Sequence, residues 1–259
     1  MSLSLQNLHI GYAEDASRYI VAEALNASLS KGTMACLVGA NGVGKSTLMR
    51  TLSGFQPALK GAVYIEGKSI EEYTPRELSE RVGVVLTERN TTPDLTVEEV
   101  VSIGRMPYTN FWGKLTQVDY HAVDEAIELV GIESLRLKKI GRVSDGERQK
   151  VMIAKALAQQ TGIILLDEPT AFLDYGSKVS VMRLLRRLAH EQGKCILLST
   201  HDLEIAFQTT DEVWILQHDG LLTGTLDALE QRGIVTSFLA KGGLHYDAEH
   251  KQIVIDAER

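Results

Sequence analysis

The chain has 259 residues, a formal net charge of -7 and 24% charged residues. Its length is sufficient for one large α/β domain with a well-covered core, and we expect one continuous domain with an inserted lobe. The acidic balance argues against a broad basic surface for phosphate backbones, so we expect no nucleic acid partner.

The cysteines and the apolar pattern indicate the compartment. Cys36 and Cys195 each lie inside an apolar run, which favours buried, reduced thiols over a disulfide or a metal site. The N-terminal residues lack the pattern of a signal peptide, and the chain contains no run of about eighteen apolar residues. We therefore expect a cytoplasmic chain that reaches a membrane only by docking to another chain.

Short apolar segments predict strands early in the chain. Residues 3–10 alternate apolar and polar side chains, and residues 35–38 and 62–65 are short apolar runs. A glycine-rich turn and a segment compatible with a helix follow the second strand. From about residue 92 to 160 the apolar spacing becomes helical, which predicts a mostly helical lobe.

The glycine-rich turn carries the most specific local motif. Residues 39–47 are Gly-Ala-Asn-Gly-Val-Gly-Lys-Ser-Thr, which matches the P-loop (Walker A) pattern between a strand and a helix. Such a loop directs backbone N–H groups and a helix N-terminus at phosphate oxygens, and Lys45 adds a positive charge. We expect Ser46 to ligate Mg²⁺ and Thr47 to contact the α-phosphate, the alternative being a glycine-rich turn with an incidental lysine. The predicted ATP-binding residues of the loop are Gly39, Asn41, Gly42, Gly44, Lys45, Ser46 and Thr47.

The last third of the chain returns to a strand pattern. Apolar runs at 163–166 and 196–199 flank an amphipathic segment at 178–192, which is the βαβ pattern of a buried parallel sheet. Residues 213–216 and the glycine-rich turn after them predict a closing hairpin. The weak alternation of residues 244–255 leaves the tail undecided.

Polar residues follow the two later apolar runs. Asp167 and Glu168 come directly after one of them, at the carboxyl end of a buried strand, where ligands collect in open α/β sheets. We expect Asp167 to hold Mg²⁺ through water, and Glu168 to polarise the water that attacks the γ-phosphate. His201 follows the other run and should reach the γ-phosphate from the same edge. The alternatives are a solvated acidic turn for the two acids and a structural hydrogen bond for His201.

A third motif, Val143-Ser144-Asp145-Gly146-Glu147-Arg148-Gln149, precedes the strand that ends at Asp167. With the P-loop and the acid pair in this order, the chain resembles the ATP-binding subunits of ABC transporters over nearly its whole length. The resemblance implies a homodimeric ATPase in which Ser144 and Gly146 open a helix and bind the γ-phosphate held by the opposite subunit. The alternative is a helix N-cap followed by acids in the first turn.

The same resemblance implies a fold. It is a P-loop NTPase ABC-type ATPase core, with a mainly parallel sheet flanked by helices, N-terminal antiparallel strands and an inserted helical lobe. We expect a single ABC ATP-binding domain with its nucleotide-binding core at 1–88 and 161–259 and its helical signature lobe at 89–160. The implied cofactors are ATP and Mg²⁺.

Three further residues take roles only through this resemblance. Tyr12 would stack on adenine, and Asp174 would organise the opposing site across the dimer interface. His201 matches the switch histidine of the family, which bridges the γ-phosphate and the catalytic water. The alternatives are an ordinary strand-end tyrosine for Tyr12 and a turn or helix cap for Asp174.

Two places depart from the pattern of the family. In the segment 82–89, the family usually ends a strand with Pro-Gln, and the glutamine is a Mg²⁺ ligand. This chain has Thr87 in place of that glutamine. We take Thr87 as the metal ligand, with the Glu88 carboxylate as the alternative. In the signature, Asp145 and Glu147 replace Gly and Gln, and both acids would repel a γ-phosphate unless they are turned away or paired, for example by Arg148. Such a change is compatible with slower hydrolysis.

Within the family, the segments 104–108 and 112–115 resemble importers of iron(III) siderophores, haem and cobalamin. The resemblance implies transmembrane permease subunits as partners, an extracytoplasmic substrate-binding protein acting indirectly, and a peripheral position on the cytoplasmic face of the inner membrane. Phe111 and Trp112 either receive a segment of the permease or pack within the helical lobe. Two rival functions stay open: a soluble ABC ATPase that moves nucleic acid or protein complexes, and a regulatory cassette that binds nucleotide without hydrolysis.

Overall fold

The computed structural model describes residues 2–14, 17–86, 93–110, 112–240, 242–248, 250 and 252–255. The strands are β1 (Leu3–Glu14), β2 (Ser17–Leu29), β3 (Met34–Val38), β4 (Lys60–Ile65), β5 (Lys68–Ser69), β6 (Val82–Val85), β7 (Ile163–Leu166), β8 (Cys195–Ser199), β9 (Glu212–Gln217), β10 (Gly220–Gly224), β11 (Leu244–Asp247) and β12 (Gln252–Ile255). The helices are α1 (Lys45–Leu52), α2 (Pro75–Ser79), α3 (Val97–Ser102), α4 (Gln117–Val130), α5 (Asp145–Ala158), α6 (Tyr175–Gln192), α7 (Leu203–Thr209), α8 (Leu226–Gln231) and α9 (Ile234–Ala240).

A six-stranded sheet of order β10-β9-β3-β8-β7-β6 forms the centre of the fold. Strands β9, β3, β8, β7 and β6 run parallel, and β10 pairs antiparallel with β9. Every residue of β3, β7 and β8 is buried, because the two faces of the sheet belong to two different apolar cores. The predicted α/β class with a mainly parallel sheet is confirmed.

A second, antiparallel sheet of order β2-β1-β4-β5 packs against one face of the central sheet. Its apolar residues share a core with Leu37 of β3 and Leu48 of α1, which places the β1–β2 hairpin beside the P-loop. The sequence pattern did not predict β2 as a strand. Register shifts between β1 and β2, and a positive φ of 54° at Ala24, interrupt the alternation that identifies a strand.

Between β6 and β7 the described residues form α3, α4 and α5, joined by short 3₁₀ turns. Val101, Ile127 and Ile153, one from each helix, are fully buried in the larger apolar core. The helices therefore pack as one layer, as the helical spacing of this segment predicted. The boundaries of the lobe at 89 and 160 stay a prediction.

A buried ion pair connects these helices. Arg105 Nε donates to Asp119 Oδ1 at 2.9 Å, and both side chains are 4% exposed. Arg105 Nη1 also donates to the carbonyl oxygen of Ala158 at the end of α5. The other carboxylate oxygen of Asp119 accepts from the hydroxyl and the backbone N–H of Thr116, and the hydroxyl contributes most to a lowered pKa of Asp119. The pair thus links α4, α5 and the Ile103–Tyr108 turn.

The C-terminal part completes the sheet and adds a small hairpin. Strands β9 and β10 form the predicted closing hairpin, and β11 pairs with β12 in the tail that the sequence pattern left undecided. Tyr246 packs edge-on against Phe207, with ring centroids 6.3 Å apart. None of the helices in the described part of the chain has the length and apolar character needed to cross a bilayer.

Both cysteines lie in the core. Cys36 and Cys195 are buried free thiols, as the apolar runs around them predicted. Burial raises the pKa of each thiol to about 12, which keeps both protonated and unreactive.

Candidate active site

The predicted phosphate-binding loop lies between β3 and α1. Gly42 and Gly44 adopt positive φ angles of 76° and 110°, which residues with a side chain rarely adopt. A Cβ atom on Gly44 would also lie 2.4 Å from Val21 Cγ1, so the packing of β2 requires glycine there. The loop thus wraps in front of the N-terminus of α1, the arrangement that binds phosphate groups.

Lys45, the first residue of α1, is held against this loop. Its Nζ donates to the carbonyl oxygens of Gly39 at 2.9 Å and Ala40 at 3.2 Å. Burial of the side chain lowers its pKa, while the nearby carboxylates of Glu168 and Asp167 oppose that change. The ammonium group therefore lies between the P-loop and the end of β7, where a triphosphate would place its negative charge.

A buried hydroxyl from β8 connects the two acids that follow β7. Ser199 Oγ donates to Asp167 Oδ1 at 2.5 Å and accepts from the backbone N–H of Glu168 at 2.9 Å. Ser199 was not predicted as a site residue. Its position follows from the parallel register, in which Leu166 pairs with Leu198 and the next residues come side by side.

Ser46 and Asp167 offer oxygen ligands suited to a hard cation. Ser46 Oγ lies 3.5 Å from Asp167 Oδ1, between the P-loop and the end of β7. Hydroxyl and carboxylate oxygens suit Mg²⁺, which usually keeps several waters and needs few protein ligands. The residues present therefore fit this ion. Thr87, the third predicted ligand, and its alternative Glu88 lie outside the described residues.

Glu168 and His201 meet in front of the P-loop. His201 Nε2 lies 2.7 Å from Glu168 Oε1, and both side chains are partly exposed. Glu168 has a positive φ of 48°, a left-handed conformation that costs energy in a non-glycine residue. The structure thus brings the predicted base and the predicted switch histidine into direct contact.

One cavity of about 350 Å³ collects these groups. It is lined by Tyr12, Tyr19, Val21, Asn41, Gly42, Gly44, Lys45, Ser46, Thr47, Glu168 and His201. The hydroxyl of Tyr12 lies 3.1 Å from Thr47 Oγ1, which places the predicted adenine-stacking residue at the P-loop. Tyr19 and Val21 were not predicted, because β2 itself was not.

The Ser144 peptide begins α5 and does not line this cavity. Glu147 Oε2 accepts from the backbone N–H of Ser144 at 2.8 Å and from its hydroxyl at 3.0 Å, and the backbone bond contributes most to a lowered pKa of Glu147. Asp145 pairs with Arg148 at 3.2 Å. Both signature acids therefore have hydrogen-bonding or ionic partners at the start of their own helix. Pairing of this kind was the condition under which we expected the acids not to repel a γ-phosphate. The helix-cap interpretation of Ser144 also holds in this structure.

Gly146 and Asp174 lie where α5 meets the start of α6. A Cβ atom on Gly146 would lie 2.9 Å from Ser177 Oγ, so the two helices approach each other closely at this point. Asp174 caps α6 by accepting from the backbone N–H of Ser177 at 2.9 Å and from its hydroxyl at 2.8 Å, which lowers the pKa of Asp174. Phe172 and Tyr175 on either side are exposed. The predicted interface role of Asp174 stays a prediction.

Asp202 ties the loops around the site together. Its carboxylate accepts from Thr170 Oγ1 at 3.0 Å and from Lys178 Nζ at 2.9 Å. Thr170 follows the two acids after β7, Lys178 lies in α6, and Asp202 is next to His201. This network holds the His201 loop at a fixed position relative to Glu168.

Comparison with known proteins identifies the family. The family model described as ABC transporter matches residues 22–171, which is more than half of the chain. The chain belongs to the ABC transporter family. It is an ATP-binding cassette that hydrolyses ATP, so the predicted family, fold and ATPase activity are confirmed.

Two relatives illustrate where this ABC cassette lies within the family. An uncharacterised ABC transporter ATP-binding protein of Methanocaldococcus jannaschii is 40% identical over 90% of this chain and 79% of that protein. The iron(3+)-hydroxamate import ATP-binding protein FhuC of Bacillus subtilis is 38% identical over 79% of this chain and 75% of that protein.

Solved structures show the same cassette. A transporter assigned to the metal-chelate ABC type, in an inward-facing conformation, contains a chain with a TM-score of 0.81 and 25% identity, covering 98% of this chain and 96% of that one. A dimeric ATP-binding cassette in a post-hydrolysis state with ADP and Pi bound has a TM-score of 0.72 and 26% identity. The match covers 86% of this chain and 98% of that one.

Proposed function

We propose that this ABC cassette is the ATPase subunit of an importer of metal chelates, namely iron(III) siderophores, haem or cobalamin. The observation that carries the ATPase role is one cavity that joins the P-loop, Glu168 and His201, with the Ser144 peptide outside it on a separate layer of helices. The likeness to FhuC and to a metal-chelate type transporter supports the class of cargo. The subunit acts peripherally on the cytoplasmic face of the inner membrane, with permease subunits and, indirectly, an extracytoplasmic binding protein.

ATP binds with its phosphates in the P-loop. Backbone N–H groups and the N-terminus of α1 receive the phosphate oxygens, and Lys45 neutralises charge near the β- and γ-phosphates. Because Lys45 is already oriented by Gly39 and Ala40, little reorganisation is needed when the nucleotide arrives. The hydroxyl of Tyr12 is hydrogen-bonded to Thr47, and the aromatic ring of Tyr12 stacks on the adenine.

Hydrolysis uses the acid and the histidine that meet at the cavity edge. Glu168 accepts the proton of the attacking water, and His201, 2.7 Å from it, holds the γ-phosphate and the water in position. Ser199 donates to the Asp167 carboxylate and accepts from the backbone N–H of Glu168, which orients the loop that carries both acids. Mg²⁺ would be held by Ser46 and Asp167 and would supply positive charge to the phosphate oxygens.

The active unit is a homodimer. Ser144 and Gly146 lie outside the cavity of their own chain, so the phosphate site lacks the signature peptide unless a second copy supplies it. The exposed Phe172 and Tyr175 beside Asp174 provide apolar surface for such an interface. Bound ATP contacts both subunits and therefore favours the closed dimer. Hydrolysis of ATP removes these contacts, and the dimer opens.

Mixing two inactive variants tests the shared site. Lys45→Ala removes the phosphate-binding cation, and Ser144→Arg blocks the signature peptide, so each variant alone should lack ATPase activity. An equal mixture should recover about a quarter of the native activity, because random pairing makes half of the dimers mixed and each mixed dimer has one intact site. A phosphate-release assay measures the recovery. A mixture as inactive as its components contradicts the homodimer, and the two variants kept in separate tubes are the control.

An apolar groove is the proposed docking site for a helical segment of the permease. Its volume is about 480 Å³, and it lies between the end of α1, α2, β6 and the end of α5. Its apolar lining residues are Phe55, Pro57, Ala58, Ala62, Val63, Ile70, Tyr73, Pro75, Leu78, Val82 and Val84. Phe55 is 64% exposed and belongs to this lining, so the groove extends into an apolar surface that a partner can cover. A partner in this groove would contact the core and the layer of helices together.

Import is tested with the permease produced together with this chain in vesicles. ATP-dependent uptake of an iron(III) siderophore and, separately, of cobalamin should be measured. Phe55→Glu should lower uptake at least about tenfold, because a charge in the apolar groove opposes docking. Leu137→Glu is the matched control, since Leu137 is also exposed but lies outside the groove. Uptake of neither chelate by a native complex that hydrolyses ATP would contradict the proposed cargo. Equal uptake by the two variants would contradict the docking site.

A further inference from the structure

The wall of the ATP cavity contains a second aromatic residue that the resemblance to the family did not assign. In the β1–β2 hairpin, Tyr12 and Tyr19 are direct cross-strand partners. Side chains at such positions have Cβ atoms about 4.5–5.5 Å apart and lie on the same face of the sheet. Both residues line the same cavity as the P-loop.

The part of β2 that contains Tyr19 borders the P-loop. Val21, two residues further along, is the extra residue at a register shift between β1 and β2. Val21 packs against Gly44 of the P-loop and lines the cavity with Tyr19. Ile20, between them, is not among the lining residues of the cavity. Tyr19 is thus positioned above the P-loop rather than on the outer surface of the hairpin.

The two tyrosines differ in how they are held. Tyr12 is fixed by its hydroxyl, 3.1 Å from Thr47 Oγ1, beside the position of the α-phosphate. Tyr19 is 70% exposed, so most of its ring faces solvent at the mouth of the cavity. An exposed ring of this size gains most when a flat apolar surface covers it, and a nucleotide base is such a surface.

We propose that Tyr19 is a second base-contacting residue and that, with Tyr12, it makes the site selective for purine nucleoside triphosphates. The proposal rests on the proposed ATP site. The paired tyrosines offer two aromatic rings to one cavity, and the two fused rings of a purine can contact both, whereas the single ring of a pyrimidine contacts less of this surface. Stacking on ring faces depends on the area of the base and not on its hydrogen-bonding groups. The site therefore binds ATP and GTP with similar affinity and CTP with lower affinity.

Steady-state ATPase kinetics of the full chain test the assignment. Tyr19→Ala should raise the KM for ATP and for GTP about tenfold with kcat retained, because stacking on one aromatic ring supplies binding of this size. The KM for CTP should rise less, so the preference for purines falls. Tyr19→Phe should behave as the native chain. Ile20→Ala is the matched control, since Ile20 is an exposed residue of the same strand that does not line the cavity, and it should leave every KM unchanged.

Inhibition by inorganic tripolyphosphate separates a base contact from a general change in the site. Tripolyphosphate has no base, so its inhibition constant should be equal in the native chain and in Tyr19→Ala. A KM for ATP within about twofold of the native value in Tyr19→Ala would overturn the inference. An equal loss of ATP and tripolyphosphate binding would overturn it as well. A native chain that binds no ATP would instead overturn the proposed site, and the two failures are therefore distinct.

Discussion

Replacing Glu168 with Gln is expected to lower kcat for ATP hydrolysis by about 10²–10⁴-fold, the range that a general base contributes. The amide has nearly the same shape as the carboxylate but cannot accept the proton of the attacking water. The backbone N–H of Glu168 still donates to Ser199, so the loop after β7 keeps its position. ATP binding should persist, and the ATP-bound dimer should accumulate because the step that releases it is blocked.

Three measurements make this expectation specific. Phosphate release gives kcat, titration with a fluorescent ATP analogue gives affinity, and size-exclusion chromatography with ATP shows the dimer. Glu191→Gln is the control, because Glu191 is an exposed acid near the end of α6. Turnover of Glu168→Gln within about twofold of the native value would show that another group takes the proton. In contrast, native protein that binds ATP without any turnover would favour the regulatory cassette or a motor silent without its permease.

The Arg105→Met variant is expected to lose about 3–5 kcal/mol of unfolding free energy, the cost of leaving one buried charge without its partner. Asp119 would stay in the interior facing an apolar side chain, and the carbonyl oxygen of Ala158 would lose a donor. Urea unfolding followed by circular dichroism measures the change. Because the pair links α4 and α5, the helical layer that carries Ser144 should become less stable than the parallel sheet.

Two further variants separate the buried charge from a general loss of packing. Asp119→Asn keeps an oxygen for the Thr116 cap but removes the charge, so Arg105→Met combined with Asp119→Asn should be more stable than Arg105→Met alone. Lys139→Met breaks an exposed ion pair with Asp94 and should have little measurable effect. The explanation fails if Arg105→Met and Lys139→Met have equal stability.

Much of the phosphate site was predictable because its residues are contiguous. A strand, a glycine-rich turn and a lysine at the start of a helix define the P-loop within a few residues, so no distant contact is needed to recognise it. Asp167, Glu168 and His201 were predictable for a related reason: each follows an apolar run, and the carboxyl ends of parallel strands share one edge of the sheet. The structure places Glu168 and His201 together at that edge.

Other parts of the site could not be predicted from spacing. The pattern of β2 is interrupted by Ala24 and by register shifts, so neither the hairpin nor Tyr19 emerged as part of the cavity. The signature acids were expected to hinder a phosphate unless they were turned away or paired. The structure shows that Glu147 caps the helix through Ser144 and that Asp145 pairs with Arg148. Those contacts depend on rotamers that the sequence does not specify.

The sequence by itself determined the family, the α/β class and the position of the P-loop motif, because these depend on local spacing and on strand ends. Only the tertiary structure decided which hydroxyl joins Asp167 to Glu168, which tyrosine faces Tyr12, and which acid neutralises Arg105. In each case the partners come from different elements of the fold: two strands of the central sheet, the two strands of a hairpin, and a turn and a helix. Their contact is selected by strand register and by the packing of side chains in the interior, and neither leaves a periodic pattern in the sequence.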